Sequence, residues 1–369
     1  MGLQITDNPD YLHFVQGILG LIEKYNKQYR SKDVLFNCEM IPAENVGVKH
    51  AKWDREDGYF VPRDCYNSYF YVVEDESLNI IDKFKLHGAP YIEHLTGGSA
   101  LHMNLSEHLS KQQYRQLLKV AAKEGCNYFT FNIPNTICND CGHIDKRYLK
   151  ECPVCHSKNV DYMTRIIGYL KRVSNFSAAR QEEADVSTRA EIACSQKIWK
   201  RNWKTSIDNP PTPIMLKYVN TGVVFQEIPD EVTLAVNISN CPCHCPGCHS
   251  HFLWDDIGTP LTPPVLDDFV GEYGKDITCV CFMGGDAEPE SVNQLAKYLH
   301  EKHPQLKVAW YSGRIRIPSV VNKSDFDYIK LGPYIAHLGS LKQPTTNQRL
   351  YKRAASDQFN DITYRFWKP

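Results

Sequence analysis

The stretch NISNCPCHCPGCHSHFLW, residues Asn237–Trp254, decides how the second half of this sequence is interpreted. Four cysteines fall within eight consecutive residues, at Cys241, Cys243, Cys245 and Cys248. Four thiols so close together are unsuited to a shared hydrophobic core, and short cysteine spacings without an export signal favour a metal over disulfides. The stretch therefore predicts a metal-binding loop.

Around this loop, short apolar runs alternate with a helical pattern. The runs EVTLAVNIS, ITCVCFMGG, KVAWYSG and FDYIKLG predict strands, and EPESVNQLAKYLHEKH predicts an amphipathic helix between two of them. This alternation predicts an α/β domain built on a mostly parallel sheet. The cysteine loop follows the first strand, where α/β folds place their chemistry. Cys279 and Cys281 alternate with apolar residues inside the second strand, and we predict that both are buried.

The composition is that of an ordinary globular chain. The 369 residues are 42% hydrophobic and 23% charged, with a formal net charge of −1. A charge this near zero supplies no basic field for nucleic acid, and no apolar run is long enough to span a bilayer. The N-terminus lacks a signal-peptide pattern. We therefore expect a reducing, cytoplasmic location without membrane or direct nucleic-acid binding.

A second cysteine-rich motif, CNDCGHIDKRYLKECPVC, lies in the first half of the chain. It pairs Cys138 with Cys141 and Cys152 with Cys155, each pair separated by two residues. Two such hairpins place two thiolates each on one ion, which suits tetrahedral Zn²⁺, and a rubredoxin-like iron is the alternative. Four protein sulfurs leave no coordination position open. The motif therefore predicts a structural four-cysteine zinc ribbon.

The chain divides into two parts joined by a connector. DYLHFVQGILGLIEKYNKQYR has helical periodicity, as does Ser110–Gly125, in which Ser110 is the expected cap and Gly125 the stop. The run NYFTFNI, Asn127–Ile133, alternates as a strand does. Residues 181–214 end in TSIDNPPTP, whose prolines cannot continue a helix. An independent α/β domain is expected from residue 215.

The spacing Cys241-x3-Cys245-x2-Cys248 is that by which three thiolates hold a [4Fe–4S] cluster and leave one iron open. An open iron can bind S-adenosylmethionine, and reduction then breaks the C–S bond to give a 5′-deoxyadenosyl radical. Cys243 is expected to face away from Cys241 and Cys245 and to stay unligated. A second zinc site and a ferredoxin cluster with all four cysteines are the alternatives. The histidines available to such a zinc site are His244, His249 and His251.

Two glycine-containing stretches add to these motifs. CFMGGDAEPE places Gly284, Gly285 and Asp286 at a strand end, where glycines let the backbone approach a ligand and Asp286 can accept from its ammonium group. Gly168 interrupts an apolar run shortly after the four-cysteine motif. Taken alone, such a glycine predicts a bulge or a tight packing point.

Taken together, these motifs resemble one known system. GGSALHMNLSEHLSKQQYRQLLKVAAKEGCNYFTFNIPNTICNDCG and RIIGYLKRVSNFSAARQEEA closely resemble the C-terminal end of the anaerobic (class III) ribonucleoside-triphosphate reductases. Residues 215–369 resemble the radical-SAM activating protein of those reductases, through NCPCHCPGCHS, FMGGD and PTTNQRLYKR. The resemblance implies a radical-SAM partial (βα) barrel, preceded by a mixed α+β fragment of a glycyl-radical enzyme with its zinc ribbon.

The resemblance also implies four segments. Residues 1–135 would be an incomplete part of the reductase barrel, and 136–180 the zinc ribbon with the glycyl radical loop. Residues 181–214 would be the connector, and 215–369 the radical-SAM activase domain.

By the same resemblance, the activase takes a hydrogen atom from Gly168, the expected catalytic residue. A glycine radical can flatten because it has no side chain, and it later generates a thiyl radical that attacks the ribose. The expected zinc ligands are Cys138, Cys141, Cys152 and Cys155, and the expected cluster ligands are Cys241, Cys245 and Cys248. The residues expected where S-adenosylmethionine binds are Gly247, His249, Gly284, Gly285 and Asp286.

The sequence departs from the family in two respects. His249 stands where activases often have an aromatic residue. The reductase part is short, so the nucleotide pocket and the thiyl cysteine are expected from a complete reductase, or its N-terminal part, as partner. Ribonucleoside triphosphates would bind only through that barrel, and a flavodoxin-like protein is the expected electron donor. None of Cys38, Cys65 and Cys126 is expected to be the thiyl cysteine.

Other interpretations stay open. FNCEMIPAEN resembles an active-site strand of the reductase, so Glu39 or Glu44 is a candidate for facing the substrate. The first part could instead be a docking module without a radical. The whole chain could also be a non-catalytic zinc and iron–sulfur protein that transfers electrons.

Overall fold

The computed structural model describes residues 9–34, 36, 39–40, 46–61, 64, 66, 78–95, 97–105, 108–165, 170–176, 178, 181 and 216–367. The chain forms two compact units, Met1–His108 with Leu118–Cys194, and Leu109–Leu117 with Ser195–Pro369. One boundary, between Cys194 and Ser195, falls inside the predicted connector, and Leu109–Leu117 also belongs to the second unit. The four predicted segment boundaries stay predictions.

The first unit mixes helices with short strands. Both predicted helices are confirmed: Ser110 Oγ accepts the backbone N–H of Gln113, and Gly125 follows the second helix with a φ of +75°. The helices are α1 (Pro9–Tyr29), α2 (Val46–Glu56), α3 (Ile80–Leu86), α4 (Ala89–Ile92) and α5 (Lys111–Glu124), of which the residues up to Leu117 belong to the second unit. The strands are β1 (Glu39–Met40), β2 (Gly98–Ser99), β3 (Leu101–Asn104), β4 (Phe129–Asn132), β5 (Asn135–Cys138), β6 (Ile144–Asp145), β7 (Val160–Thr164) and β8 (Lys171–Arg172).

The core of this unit is built around the parallel pair β3 and β4, in which Leu101 lies opposite Phe129. Phe84, fully buried on α3, meets the rings of Phe129 and Phe131 edge to face at centroid distances of 5.1 and 6.3 Å. The chain then enters the four-stranded sheet β6–β5–β7–β8, which carries the first cysteine motif. The strand predicted within residues 127–133 is confirmed by β4.

His87, fully buried at the end of α3, gives this unit an acid-sensitive stability. Its Nδ1 lies 2.9 Å from Ser99 Oγ, and burial lowers the pKa of the ring from 6.5 to about 3. Between these two values the unfolded chain binds a proton that the folded chain does not, so stability is lost as the pH falls.

For His87 we expect the free energy of unfolding to drop by about 2 kcal/mol between about pH 7.5 and pH 5. Urea unfolding at both pH values measures this drop, which His87→Gln should remove. The exposed His13 offers a control. If His13→Gln and His87→Gln change the pH dependence equally, His87 is not its cause.

The second unit is an α/β structure around one eight-stranded sheet. Its helices are α6 (Pro263–Tyr273) and α7 (Pro289–Lys302). Its strands are β9 (Lys217–Val224), β10 (Thr233–Ile238), β11 (Thr259–Pro260), β12 (Cys279–Met283), β13 (Lys307–Tyr311), β14 (Tyr328–Leu331), β15 (Arg349–Arg353) and β16 (Phe359–Asp361).

The strand order is β11–β9–β10–β12–β13–β14–β15–β16. The four central strands, β10, β12, β13 and β14, are parallel, as their apolar runs predict. Cys279 and Cys281 are fully buried, which confirms their prediction as core residues. The antiparallel strands on both sides were not predicted individually, and the partial (βα) barrel stays a prediction.

Parallel strands bring their carboxyl ends to one edge of the sheet. The second cysteine loop follows β10, the Gly284–Asp286 turn follows β12, and Ser312–Arg314 follows β13. The residues of the second site are far apart in sequence, and the sheet topology brings them together. Within the described part of the chain, no helix is long and apolar enough to cross a membrane.

Candidate metal centres

The first centre consists of two loops with the same backbone hydrogen bonds. The N–H of Cys138 donates to His143 O at 2.9 Å, and Gly142 N–H donates back to Cys138 O at 3.0 Å. In the second loop, Cys152 N–H donates to Ser157 O at 2.8 Å, and the N–H of His156 donates back to Cys152 O at 3.0 Å. Each loop therefore turns its two cysteines towards the same point.

The four sulfur atoms of this centre lie within 4.8 Å of one another. The Sγ–Sγ distances are 3.5 Å between Cys138 and Cys155 and 3.6 Å between Cys141 and Cys152. Backbone N–H groups, first that of Cys155, lower the pKa of Cys152 to about 6 and favour its thiolate. This is the donor set and the convergence that a single tetrahedral ion requires. The structure brings all four predicted ligands together.

The repeated loop predicts a measurable cost for a side chain at Gly142. Gly142 has φ +73°, but nothing lies within 4 Å of a Cβ placed there, so Gly142→Ala adds backbone strain without a clash. We expect the metal-loaded chain to lose about 1–2 kcal/mol of unfolding free energy in urea.

Gly271 of α6 is the matched control, because it also has open space for a Cβ but lies in a helix. Gly271→Ala should instead gain up to about 1 kcal/mol. Equal effects of the two substitutions would contradict the strain argument.

The strands that precede and follow the segment containing Gly168 both belong to the metal-binding sheet. In β5 and β7, Cys138 lies opposite Val160, and β7 continues to Thr164. The next strand, β8, pairs antiparallel with β7, with Lys171 opposite Thr164. Gly168 itself lies outside the described residues. The strands before and after it belong to the same sheet as the cysteines.

Side-chain hydrogen bonds reinforce this connection. The guanidinium of Arg172 in β8 donates to Asn139 Oδ1 at 2.6 Å, and Asn139 lies between the two cysteines of the first loop. On the other side, Asn132 Nδ2 donates to the carbonyl oxygen of Arg165 at 3.0 Å. A metal ion in this centre would therefore stabilise the backbone on both sides of Gly168.

The second centre lies in the loop after β10. The backbone N–H of Cys241 donates to Leu253 O at 2.9 Å, and that of Cys248 donates to Cys245 O at 3.0 Å. Cys245 is buried, and the other two predicted cluster ligands are partly exposed. Burial raises the pKa of Cys241 and Cys248, so metal binding here must displace protons.

The three thiols predicted to hold a cluster are not gathered as closely as ligands of one ion. The sulfurs of Cys241, Cys245 and Cys248, all of them described, do not lie within 4.8 Å of one another as a group. Thiolates that bind different irons of one cluster lie farther apart than those sharing a single ion. The three-cysteine set therefore suits an iron–sulfur cluster by its donor type.

Cys243 corrects one expectation. It was predicted to face away from Cys241, but the ligating atoms of Cys241, Cys243 and Asp286 lie within 4.8 Å of one another. Pro242 and Cys243 lie in a turn, and not in extended backbone, so the Cys243 thiol is directed towards Cys241. Burial, followed by the charge of Asp286, raises the pKa of Cys243 to about 12.

The turn after β12 is fixed by its own contacts. Gly284 and Gly285 have φ values of +106° and +81°, and a Cβ on Gly285 would lie 2.4 Å from Val292 Cγ2. Gly284 N–H donates to Tyr311 O at 3.0 Å, and its carbonyl accepts from Trp310 Nε1 at 2.8 Å. These contacts explain why glycines occupy the turn without invoking a ligand.

Asp286 is fully buried and oriented by the loop after β13. Its Oδ1 accepts from Ser312 Oγ at 2.5 Å, and its Oδ2 accepts from Gly313 N–H at 2.9 Å. Gly247 and His249 lie in the cysteine loop and are exposed. The predicted contacts of these residues with S-adenosylmethionine stay predictions.

Sequence reasoning missed Lys330, a buried lysine at the end of β14. Its Nζ donates to Gly332 O at 2.6 Å and lies 5.9 Å from the centre of the Tyr311 ring. Burial lowers the pKa of Lys330 to about 8, against the opposing negative charges of Asp286 and the loop cysteines. A lysine inside the apolar run FDYIKLG was the available signal.

The residues predicted in the first part have mixed outcomes. Glu39 is exposed on β1, and Glu44, Cys38 and Cys65 lie outside the described residues. Cys126 is buried, and burial raises the pKa of its thiol to about 11. No described contact connects Cys126 with either cysteine centre.

Fold and sites together define an α/β protein with two cysteine centres. A family model described as anaerobic ribonucleoside-triphosphate reductase matches residues 1–189, and one described as a 4Fe-4S single cluster domain matches residues 231–328. The chain belongs to the anaerobic ribonucleoside-triphosphate reductase family and continues into a 4Fe-4S single cluster domain.

Similarity to solved structures concerns part of the chain. The chain is similar to the anaerobic ribonucleotide reductase from Thermotoga maritima, solved with MES in the active site, at 31% identity and a TM-score of 0.39. The similarity covers 44% of this chain and 27% of that one. No curated protein matches this chain.

Proposed function

We propose that the second unit is a radical-SAM activase that installs a glycyl radical for anaerobic ribonucleotide reduction, on Gly168 or on a partner reductase. The chain would thus be an oxidoreductase that supports conversion of ribonucleoside triphosphates to deoxyribonucleoside triphosphates. The observation that carries the proposal is a three-cysteine loop at the carboxyl ends of parallel strands, in a chain whose first part belongs to the reductase family.

Each group in the second centre has a defined part in this proposal. Cys241, Cys245 and Cys248 would hold a [4Fe–4S] cluster, which supplies the electron that cleaves S-adenosylmethionine to a 5′-deoxyadenosyl radical. The buried ammonium of Lys330 would offset negative charge near the loop. Asp286 would hold the loop after β13 in place through Ser312 and Gly313.

The first centre would bind Zn²⁺ in a structural role. Its four thiols would occupy all the positions of a tetrahedral ion, which would leave none for a substrate. Zinc would stabilise the sheet that carries the strands on both sides of Gly168. Fusion to the activase would raise the effective concentration of this glycine near the cluster.

The reductase part also has a face that suits a partner. Val15 and Leu19 of α1 are buried, whereas Phe14, Ile18 and Leu21 are exposed. A helix that is apolar on two sides is normally covered on both. The exposed side borders a groove of about 350 Å³, lined by Ile18, Leu21, Ile22, Tyr25, Asn26, Tyr29 and Phe36. We propose the remaining part of a reductase, on another chain, as the partner that covers it.

Charges on this face should weaken that association. We expect Ile18→Lys with Leu21→Lys to weaken binding to a complete or N-terminal reductase chain at least about tenfold, because buried aliphatic groups are lost. Gln16→Lys, on the opposite and exposed side of α1, is the control. Analytical ultracentrifugation of the mixed chains measures the association. Unchanged binding would exclude this face.

The test of the activase proposal is formation of 5′-deoxyadenosine. The chain is loaded anaerobically with iron and sulfide, reduced with dithionite and given S-adenosylmethionine, and the products are separated by chromatography. Cluster formation without 5′-deoxyadenosine would favour the electron-transfer alternative. A flavodoxin-like donor in place of dithionite tests the proposed electron partner.

A further inference from the structure

Cys243 and Asp286 have no part in holding the proposed cluster, yet they share a small volume with Cys241. The ligating atoms of the three residues lie within 4.8 Å of one another. This is the separation expected of ligands on one ion, in contrast to the wider set Cys241, Cys245 and Cys248. The three ligands come from two loops, those after β10 and β12, so the folded sheet creates the site.

The carboxylate is oriented as metal-binding carboxylates usually are. Ser312 Oγ donates to Oδ1 of Asp286, and Gly313 N–H donates to Oδ2. Cys243 Sγ approaches the same Oδ2, at 4.0 Å. Arg314 Nε lies 3.7 Å from the other oxygen, Oδ1. Oδ2 is therefore the oxygen directed at the sulfur atoms.

The position of Cys243 depends on the absence of a side chain at Gly313. A Cβ placed on Gly313 would lie 2.5 Å from Cys243 Sγ and 3.1 Å from its Cβ. The thiol of Cys243 thus packs directly against the Gly313 backbone, which holds it beside Asp286. An alanine at this position would displace the sulfur without removing any ligand.

We propose that Cys241, Cys243 and Asp286 bind one thiophilic divalent cation, of which Zn²⁺ is the type, when the chain lacks its cluster. The ion displaces one proton from each thiol, and the two protons go to solvent. Two thiolates and a carboxylate carry three negative charges, which the ion and Arg314 together neutralise. A water molecule completes the tetrahedron.

This site and the cluster exclude each other because both need Cys241. Only this competition rests on the proposed function, because it requires the cluster. The cation site itself does not depend on the cluster. A chain loaded with zinc at this site would have to release the ion before iron and sulfide could assemble. Zinc would therefore act as an inhibitor of cluster assembly and keep the thiols from oxidation in the cluster-free chain.

The stoichiometry of Zn²⁺ binding tests the site. The full-length chain is stripped of metal under anaerobic conditions and titrated with Zn²⁺ alone against a chromophoric chelator. We expect two equivalents for the unchanged chain, one in the four-cysteine centre and one here, and one equivalent for Cys243→Ser and Asp286→Asn. Cys245→Ser and Cys248→Ser should still bind two.

Two results would overturn the proposal. One is a single equivalent in the unchanged chain, and the other is loss of the second equivalent in Cys245→Ser, which would place the ion at the cluster cysteines. Because Asp286→Asn could unfold a buried site, Gly313→Ala serves as a second variant. It keeps every ligand and should weaken the second equivalent at least tenfold, and unchanged affinity contradicts the site.

Cluster assembly separates this inference from the proposed function. Preloading with one extra equivalent of Zn²⁺ should slow assembly from iron and sulfide in the unchanged chain, but not in Cys243→Ser. If no chain assembles a cluster, the proposed function fails while the zinc stoichiometry still decides the cation site. If preloaded zinc slows Cys243→Ser equally, the competition is excluded.

Discussion

Cys245→Ala is expected to hold none of the four irons of the proposed cluster and to form no 5′-deoxyadenosine. Three thiolates are the minimum protein ligand set of a cluster with one open iron, and two thiolates cannot replace it. Cys245 is also the most buried cysteine of its loop, with 9% of its surface exposed, so exogenous thiols are poorly placed to substitute. Iron and sulfide analysis after anaerobic reconstitution measures the loss, and chromatography measures the product.

Cys243→Ser is the matched control for this experiment. It removes a thiol two residues away but leaves the three-cysteine set intact, so we expect full iron content and unchanged product formation. Loss of iron in Cys243→Ser as complete as in Cys245→Ala would favour a ferredoxin cluster with four cysteine ligands. If both variants retain iron, the loop is not the cluster site.

The central parallel strands could be predicted because their sequences are simple. Strands covered on both faces are continuous apolar runs, and CVCFM and KVAWY are of this kind. The antiparallel strands lack that signal. β15, RLYKR, carries three basic residues in five positions, and only its pairing with β14, such as Leu350 opposite Lys330, makes it a strand. Its assignment depends on long-range contacts that no local pattern contains.

The candidate metal centres could also be predicted only in part. Cysteine spacing identifies which thiols belong to one loop, and the four sulfurs of the first centre converge as their spacing predicts. The partners of Asp286 could not be predicted, because Ser312 and Gly313 lie on another strand end some 26 residues away. Only the parallel arrangement of β12 and β13 brings them together.

Cys243 illustrates the other limit of sequence reasoning. From the cysteine spacing alone, Cys243 was predicted to be the thiol that does not bind the cluster. This prediction is consistent with a three-cysteine cluster. Its contacts with Asp286 and Gly313 arise from two further loops, and they turn a spare cysteine into a candidate ligand. The chemistry of a residue in such a loop is decided by which strand ends surround it.

Gly168→Ala should abolish the organic radical signal of the activated chain while leaving its iron content unchanged. Only a glycine Cα can flatten without a side chain and spread its unpaired electron over both flanking amides. The strands on either side, ending at Thr164 and beginning at Lys171, remain in the metal-binding sheet. Electron paramagnetic resonance after anaerobic reduction with S-adenosylmethionine should detect a doublet in the unchanged chain and none in the variant.

Two controls make this result specific to the glycine radical. Gly271→Ala is an equivalent substitution at an open helical site, and it should keep the full signal. Labelling the unchanged chain with α-deuterated glycine should collapse the doublet, because its splitting comes from the remaining α-hydrogen. A full signal in Gly168→Ala when a complete reductase is added would mean that the partner carries the radical. The first part of this chain would then be a docking module, and its metal-bound sheet would serve to position the activase rather than to store the radical.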